Sequence, residues 1–164
     1  MTDPVNNIRT VDLDGEPIVL DPKRFQFNDA SLGKFMEDVS LWYDYYSSKT
    51  SKAEGLLVDS ETVHEQKYLE KFLAGKQEGF SDKAADAYGK TDLIVRECQE
   101  KVNKYKLATK QLKEYLKSFD KAHSMAMNRG FMIRKEMDKL NSDIHFNKSE
   151  TCNIDDIIGK SNNG

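Results

Sequence analysis

Apolar residues between positions 93 and 126 recur every seven places: Cys98, Tyr105, Leu112, Phe119 and Ala126. On a strand, successive members of such a series fall on opposite faces, whereas on a helix they stay on one side, drifting by only about 20° per step. Ile94, Ala108, Tyr115, Leu116 and Ala122 fall on that same side. Lys106, Lys110, Lys113, Lys117 and Lys121, spaced by three and four, line the opposite one. The pattern predicts a long amphipathic helix from Leu93 to about Leu140, packed in coiled-coil fashion, with a break at Asn128-Arg129-Gly130.

A second helical pattern precedes it. Asn28-Asp29-Ala30-Ser31 is a cluster of helix-capping residues, and Leu32, Phe35, Met36, Val39, Trp42, Tyr43 and Tyr46 follow at spacings of three and four. Gly55 carries a penalty of about 1 kcal/mol, but no proline intervenes, so the helix is expected to continue through Leu56, Val63, Tyr68 and Phe72. It should end at Ala74-Gly75, with glycine as the C-cap. Residues 75–89 read as a linker holding at most a short helix over 82–88. Before the helices, Thr10 to Leu20 places Asp14-Gly15 between two β-prone runs, a hairpin signal, with Pro17 confining the second run to an edge. The expected architecture is mostly α: long antiparallel helices behind a short N-terminal extended or hairpin segment. Three regions are expected: an N-terminal extended segment (1–28), a helical domain (29–146) and a disordered tail (147–164).

Only 38% of the 164 residues are hydrophobic, which is thin for a thick globular core and favours narrow apolar stripes buried between subunits. No run approaches the roughly 18 apolar residues of a membrane span, and 1–7 has no signal-peptide pattern, so a cytoplasmic protein with no membrane partner is expected. Cys98 and Cys152 are too few and too far apart for a disulfide scaffold or a thiolate metal site. The net charge of -3 conceals an asymmetry. Residues 1–66 hold 6 basic and 13 acidic side chains, while 67–140 hold 17 and 11, so a basic segment lies between acidic flanks.

Catalytic signatures are nearly absent: there is no Gly-rich phosphate loop, nucleophile elbow or HExxH. Glu61-x-x-His64 and Asp120-x-x-His123 have the i, i+3 spacing of a dimetal helical bundle, but no further inward carboxylates can be named to complete it. Neither catalysis nor a metal or cofactor is therefore expected. Two clusters instead combine cations with aromatics beside a glycine, the composition that holds phosphates and stacks bases. Tyr68 and Phe72 stand with Lys67, Lys71 and Lys76, and Phe131 stands with Arg129, Arg134 and Lys135.

The second cluster lies in Asn128-Arg129-Gly130-Phe131-Met132-Ile133-Arg134-Lys135, which resembles the Arg-Gly-Phe-x-Ile-basic signature of the UvsY-like phage recombination mediators. Other features follow in that family's order. Ile18 to Phe27 is similar to its extended opening, Leu32 to Gly75 to its first long helix, and Leu93 to Met127 to the helix leading into the signature. The resemblance spans about residues 16–140. It implies a non-enzymatic protein that binds single-stranded DNA, contacts the single-strand DNA-binding protein coating it, and helps a RecA-like recombinase load. It also implies a ring-like homo-oligomer, hexamer or heptamer. Lys67 stands at one of the family's DNA-binding positions, while Leu69 replaces the second basic residue, with Lys71 and Lys76 as the nearest compensating cations. The other reading of the sequence is a coiled-coil structural or assembly protein whose lysine stripe is simply solvated.

Overall fold

The computed structural model describes residues 8–159, with side chains described through Ser142. Strands β1 (Arg9–Leu13) and β2 (Glu16–Leu20) lead through a 3-10 turn (Pro22–Phe25) into helices α1 (Leu32–Gln77), α2 (Asp82–Thr91) and α3 (Leu93–Gly159). The chain is mostly helical, with a two-stranded antiparallel hairpin at its start, as the sequence predicts.

The hairpin is built as its turn residues dictate. Asp14 and Gly15 both have positive φ, 53° and 82°, the pair a type I′ turn demands, and the Asp12 side chain accepts from the Gly15 amide at 2.8 Å. Leu13 then faces Glu16, and Asp12 faces Pro17. In a two-residue hairpin the pair next to the turn exchanges hydrogen bonds and the following pair does not, so Pro17 occupies a position where its missing N–H removes nothing. Alternation buries Val11, Leu13, Ile18 and Leu20 on one face. That face packs on α1 and α3, in the same core as Phe35, Val39, Tyr46, Ala53, Tyr105, Leu112 and Phe119.

Helices α1 and α3 run antiparallel and share the most extensive contact of any two elements. Members of the seven-residue series meet α1 as expected: Tyr105, Leu112, Phe119 and Ala126 are buried and Cys98 is partly buried. Aromatic rings fill the seam under the hairpin, with Phe25 at 4.7 Å from both Tyr115 and Phe119, and Tyr46 at 4.7 Å from Tyr115. Their hydroxyls, which could not be buried without partners, donate to backbone carbonyls of the hairpin segment: Tyr46 to Val19 at 2.6 Å and Tyr115 to Asp21 at 2.7 Å. Tyr105 donates to the Asp14 carboxylate, and this bond with its burial pushes the phenol up to about 12. Charges complete the clasp. Glu16 receives Lys49 and Lys52, whose hydrogen bonds hold its carboxyl at about 2, and Lys104 reaches Asp12 at 2.6 Å.

Three expectations about the helices need correction. Gly75 does not cap α1; the helix runs on to Gln77, and Gly79, at φ 84°, takes the left-handed position after it. Gly75 is instead a point of close approach, where a Cβ would lie 3.2 to 3.3 Å from Phe80, Ala85 and Tyr88 of the returning chain. The short helix expected over 82–88 forms as α2 but extends to Thr91; it is capped by Ser81, whose hydroxyl accepts from the Ala84 amide at 3.3 Å. Asn128-Arg129-Gly130 does not interrupt α3, because a single glycine costs too little to break a helix whose neighbours are helical on both sides. With no proline over 147–159 and glycine only at the end of that stretch, the backbone of α3 stays helical to Gly159. Residues 160–164 of the expected tail, like 1–7 of the N-terminal segment, lie outside the described residues.

Candidate nucleic-acid interface

The two basic clusters expected from the sequence stand at opposite ends of α1. Some 35 residues separate Lys67 from Leu32, which at 1.5 Å per residue is roughly 50 Å. No single phosphate site in one protomer can use both.

At the far end, α2 folds back on α1 through small residues. Gly75 meets Ala85, and Gly89 lies against the ring of Tyr68, where a Cβ would come within 3.2 Å. Each cation expected to meet DNA here has a carboxylate partner, two of them across this joint. Lys67 pairs with Glu70 at 2.8 Å, Lys71 with Asp92 at 2.8 Å and Lys76 with Asp82 at 2.7 Å. Lys71 is the most committed, since Asp92 also accepts from the amides of Ile94 and Val95 at 3.0 and 3.3 Å and thereby caps α3. The Lys71 ammonium, followed by these amides and partly opposed by desolvation, holds the Asp92 carboxyl below its ordinary value. Lys76 also donates to the Phe80 carbonyl at 3.2 Å. Tyr68 donates to Asp86 at 2.6 Å and is partly buried, as is Phe72. Lys71 and Lys76 thus tie α1 to the returning chain, whereas Lys67 pairs only along α1 itself.

The other end is different. Arg129 is fixed by a two-pronged bond to Asp29, Nε at 2.8 Å and Nη2 at 2.6 Å, which ties α3 to the segment entering α1 and lowers the Asp29 carboxyl. Arg134 is exposed and makes no ion pair with a described residue, and Lys135 lies over the Phe131 ring at 4.6 Å. Beyond this point α1 has ended. From 131 to 142 every side chain is exposed except Ile133, which is partly buried. Phe131, Met132, Met137 and Leu140 each leave more than half their surface open.

Sequence reading missed a basic site at this same end. Lys23 and Arg24 of the 3-10 turn and Lys34 of the first turn of α1 line a cavity of about 200 Å³ together with Gln26, Ser31, Asp38 and Trp42. The Arg24 guanidinium lies over the Trp42 ring, its Cζ 3.6 Å from the ring centre. The signal for this site was the pair Lys23-Arg24 immediately after Asp21-Pro22, but residues 23 and 34 are brought together only by the reversal at Asn28-Ser31. There, Ser31 N donates to Asn28 Oδ1 and Asn28 N to Ser31 Oγ, both at 2.9 Å.

The remaining candidates divide simply. The lysine stripe 106–121 is exposed along α3, with Lys113 bonded to Glu54 at 2.6 Å. The two histidine pairs do not assemble: His64 shares a cleft with Tyr68 and Gln99, while His123 lines another of about 260 Å³ with Asp44, Tyr43 and Asp120. Among the described residues no three metal-ligating side chains lie together, and no helix is long and apolar enough to cross a membrane. Comparison with protein families, curated proteins and solved structures finds no match to the chain.

Proposed function

We propose that this protein is a recombination mediator of the UvsY-like kind, a non-enzymatic cytoplasmic homo-oligomer, ring-like with six or seven subunits. It binds single-stranded DNA, engages the single-strand DNA-binding protein that coats it, and promotes loading of a RecA-like recombinase. The observation that carries this reading is the order of its parts. An extended opening, one long helix and a second long helix lead in sequence to Asn128-Arg129-Gly130-Phe131, and that signature falls where α3 parts from α1.

The bare end of α3 supports the oligomeric component. The seven-residue series does not stop at Ala126 but continues to Ile133 and Leu140, past the point where α1 can cover it. A heptad seam without its partner helix is what a neighbouring copy can bury. Exchange of one coat for another needs no bond-breaking group. It needs many weak, salt-sensitive phosphate contacts, each released locally while the assembly holds on through effective concentration.

The same bare seam, together with the pairing of Lys67, Lys71 and Lys76, favours the alternative of a structural assembly protein with no DNA role. Anisotropy of a labelled unstructured oligonucleotide, over a salt series and with duplex competitor, separates the two. Tight, salt-steep binding that duplex does not displace is expected. Folded, oligomeric protein that ignores the oligonucleotide at low salt leaves the structural alternative.

A further inference from the structure

We propose that the cavity between the 3-10 turn and the start of α1, lined by Lys23, Arg24, Lys34 and Trp42, is a phosphate-binding subsite for single-stranded nucleic acid. The case for an anion stands on geometry alone. Three cations converge on one small cavity, and none of them makes an ion pair with a described residue, although Lys67, Lys71, Lys76 and Arg129 all do. Asp38 lines the same space without bonding to any of the three, which leaves the cavity with an excess of positive charge. Arg24 Nη1 is fully buried without a hydrogen-bond acceptor, a condition shared among the described side chains only with Thr109 Oγ1. Contact with the Trp42 ring restrains the guanidinium, so the planar donor group is positioned before any ligand arrives. The volume, about 200 Å³, suits a phosphate or a carboxylate and its immediate attachment.

The choice of a nucleic-acid phosphate rests on the mediator reading and on the neighbouring rings. Trp42 lies in the cavity wall, with Tyr45 edge-on to it at 6.3 Å and exposed, as is Tyr43 on the same helix. Cations beside aromatic rings suit a strand that carries both phosphates and flat bases; an acidic peptide uses only the cations. Arg134 and Lys135 lie at this same end of α1, so a strand engaged here has further cations available to it.

The test uses the full chain, unmodified and as Lys23→Ala/Lys34→Ala, two exposed positions whose loss should leave circular dichroism and melting unchanged. With a labelled oligothymidylate, the double variant is expected to bind about tenfold more weakly at low salt. Its log-affinity against log-salt slope should fall by about 1.4, two phosphate contacts at roughly 0.7 each. Lys67→Ala/Lys71→Ala should bind like the parent. Trp42 is the only tryptophan, so its emission should also change saturably, in step with anisotropy, when the parent protein is titrated. Parent-like binding by Lys23→Ala/Lys34→Ala, or DNA binding that leaves Trp42 emission untouched, overturns the subsite while leaving the mediator reading intact. Failure of the parent protein to bind removes both. A labelled Asp/Glu-rich peptide that binds the parent but not the variant, with DNA unaffected, overturns the subsite in favour of a protein ligand.

Discussion

The two stretches of α3 carry the same seven-residue series and meet different fates. From Cys98 to Ala126 the series is covered by α1 and the hairpin, and Phe119 is fully buried. Beyond Ala126 the series continues to Ile133, only partly buried, and to Leu140, 61% exposed. Identical patterning therefore does not specify burial; it specifies only that one side of a helix can be buried, and the partner decides. The division falls near Arg129 and Gly130, where Arg129 bonds Asp29 and Gly130 faces Leu32 at the entry to α1.

The largest effect should come from the covered stretch. Phe119→Ala removes a ring packed against Phe25, Tyr46 and Tyr115 and is expected to cost about 3 to 5 kcal/mol, read by chemical denaturation. A loss below about 1 kcal/mol would show that the aromatic seam is not the stabilising centre. An intermediate effect concerns the hairpin that closes this stretch. The Glu16 carboxyl is held at about 2, against an ordinary 4.5, by Lys49 and Lys52. A depressed carboxyl stabilises the fold above its unfolded value and loses that contribution as pH falls from about 4.5 towards 2. Melting temperature should therefore drop on acidification through that window, and Glu16→Gln should make the drop shallower. An unaltered acid profile in the variant would detach the clasp from the packed stretch. The smallest effect on the protomer should be Phe131→Ala, with stability within about 0.5 kcal/mol of the parent, as expected for an exposed side chain. Its effect should appear in mass instead: light scattering is expected to show smaller assemblies. Unchanged mass would mean that the bare stretch is not where copies meet.

Much of the architecture was legible because it depends on local chemistry. Asp14-Gly15 encoded its own turn, Pro17 encoded an edge, and the period of the apolar residues encoded two long helices. Neither Gly130 nor Gly75 ends its helix, for one reason: glycine weakens a helix by about as much as one ordinary contact restores. Site residues were less legible. Lys67, Lys71 and Lys76 look like a basic cluster in the chain, and the return of α2 supplies a carboxylate to two of them, Asp92 to Lys71 and Asp82 to Lys76. Lys23 and Lys34 look unrelated, and the turn at Asn28-Ser31 brings them to one cavity.

The amino-acid sequence by itself determined where helix and hairpin form and which side of each is apolar, because turn chemistry and periodicity act over a few residues. Tertiary structure decided which part of the seam is covered, which cations are already neutralised and which remain open. Those outcomes depend on the distance between side chains far apart in the chain. Coulombic and packing energies depend on that distance, and nothing in a local pattern measures it.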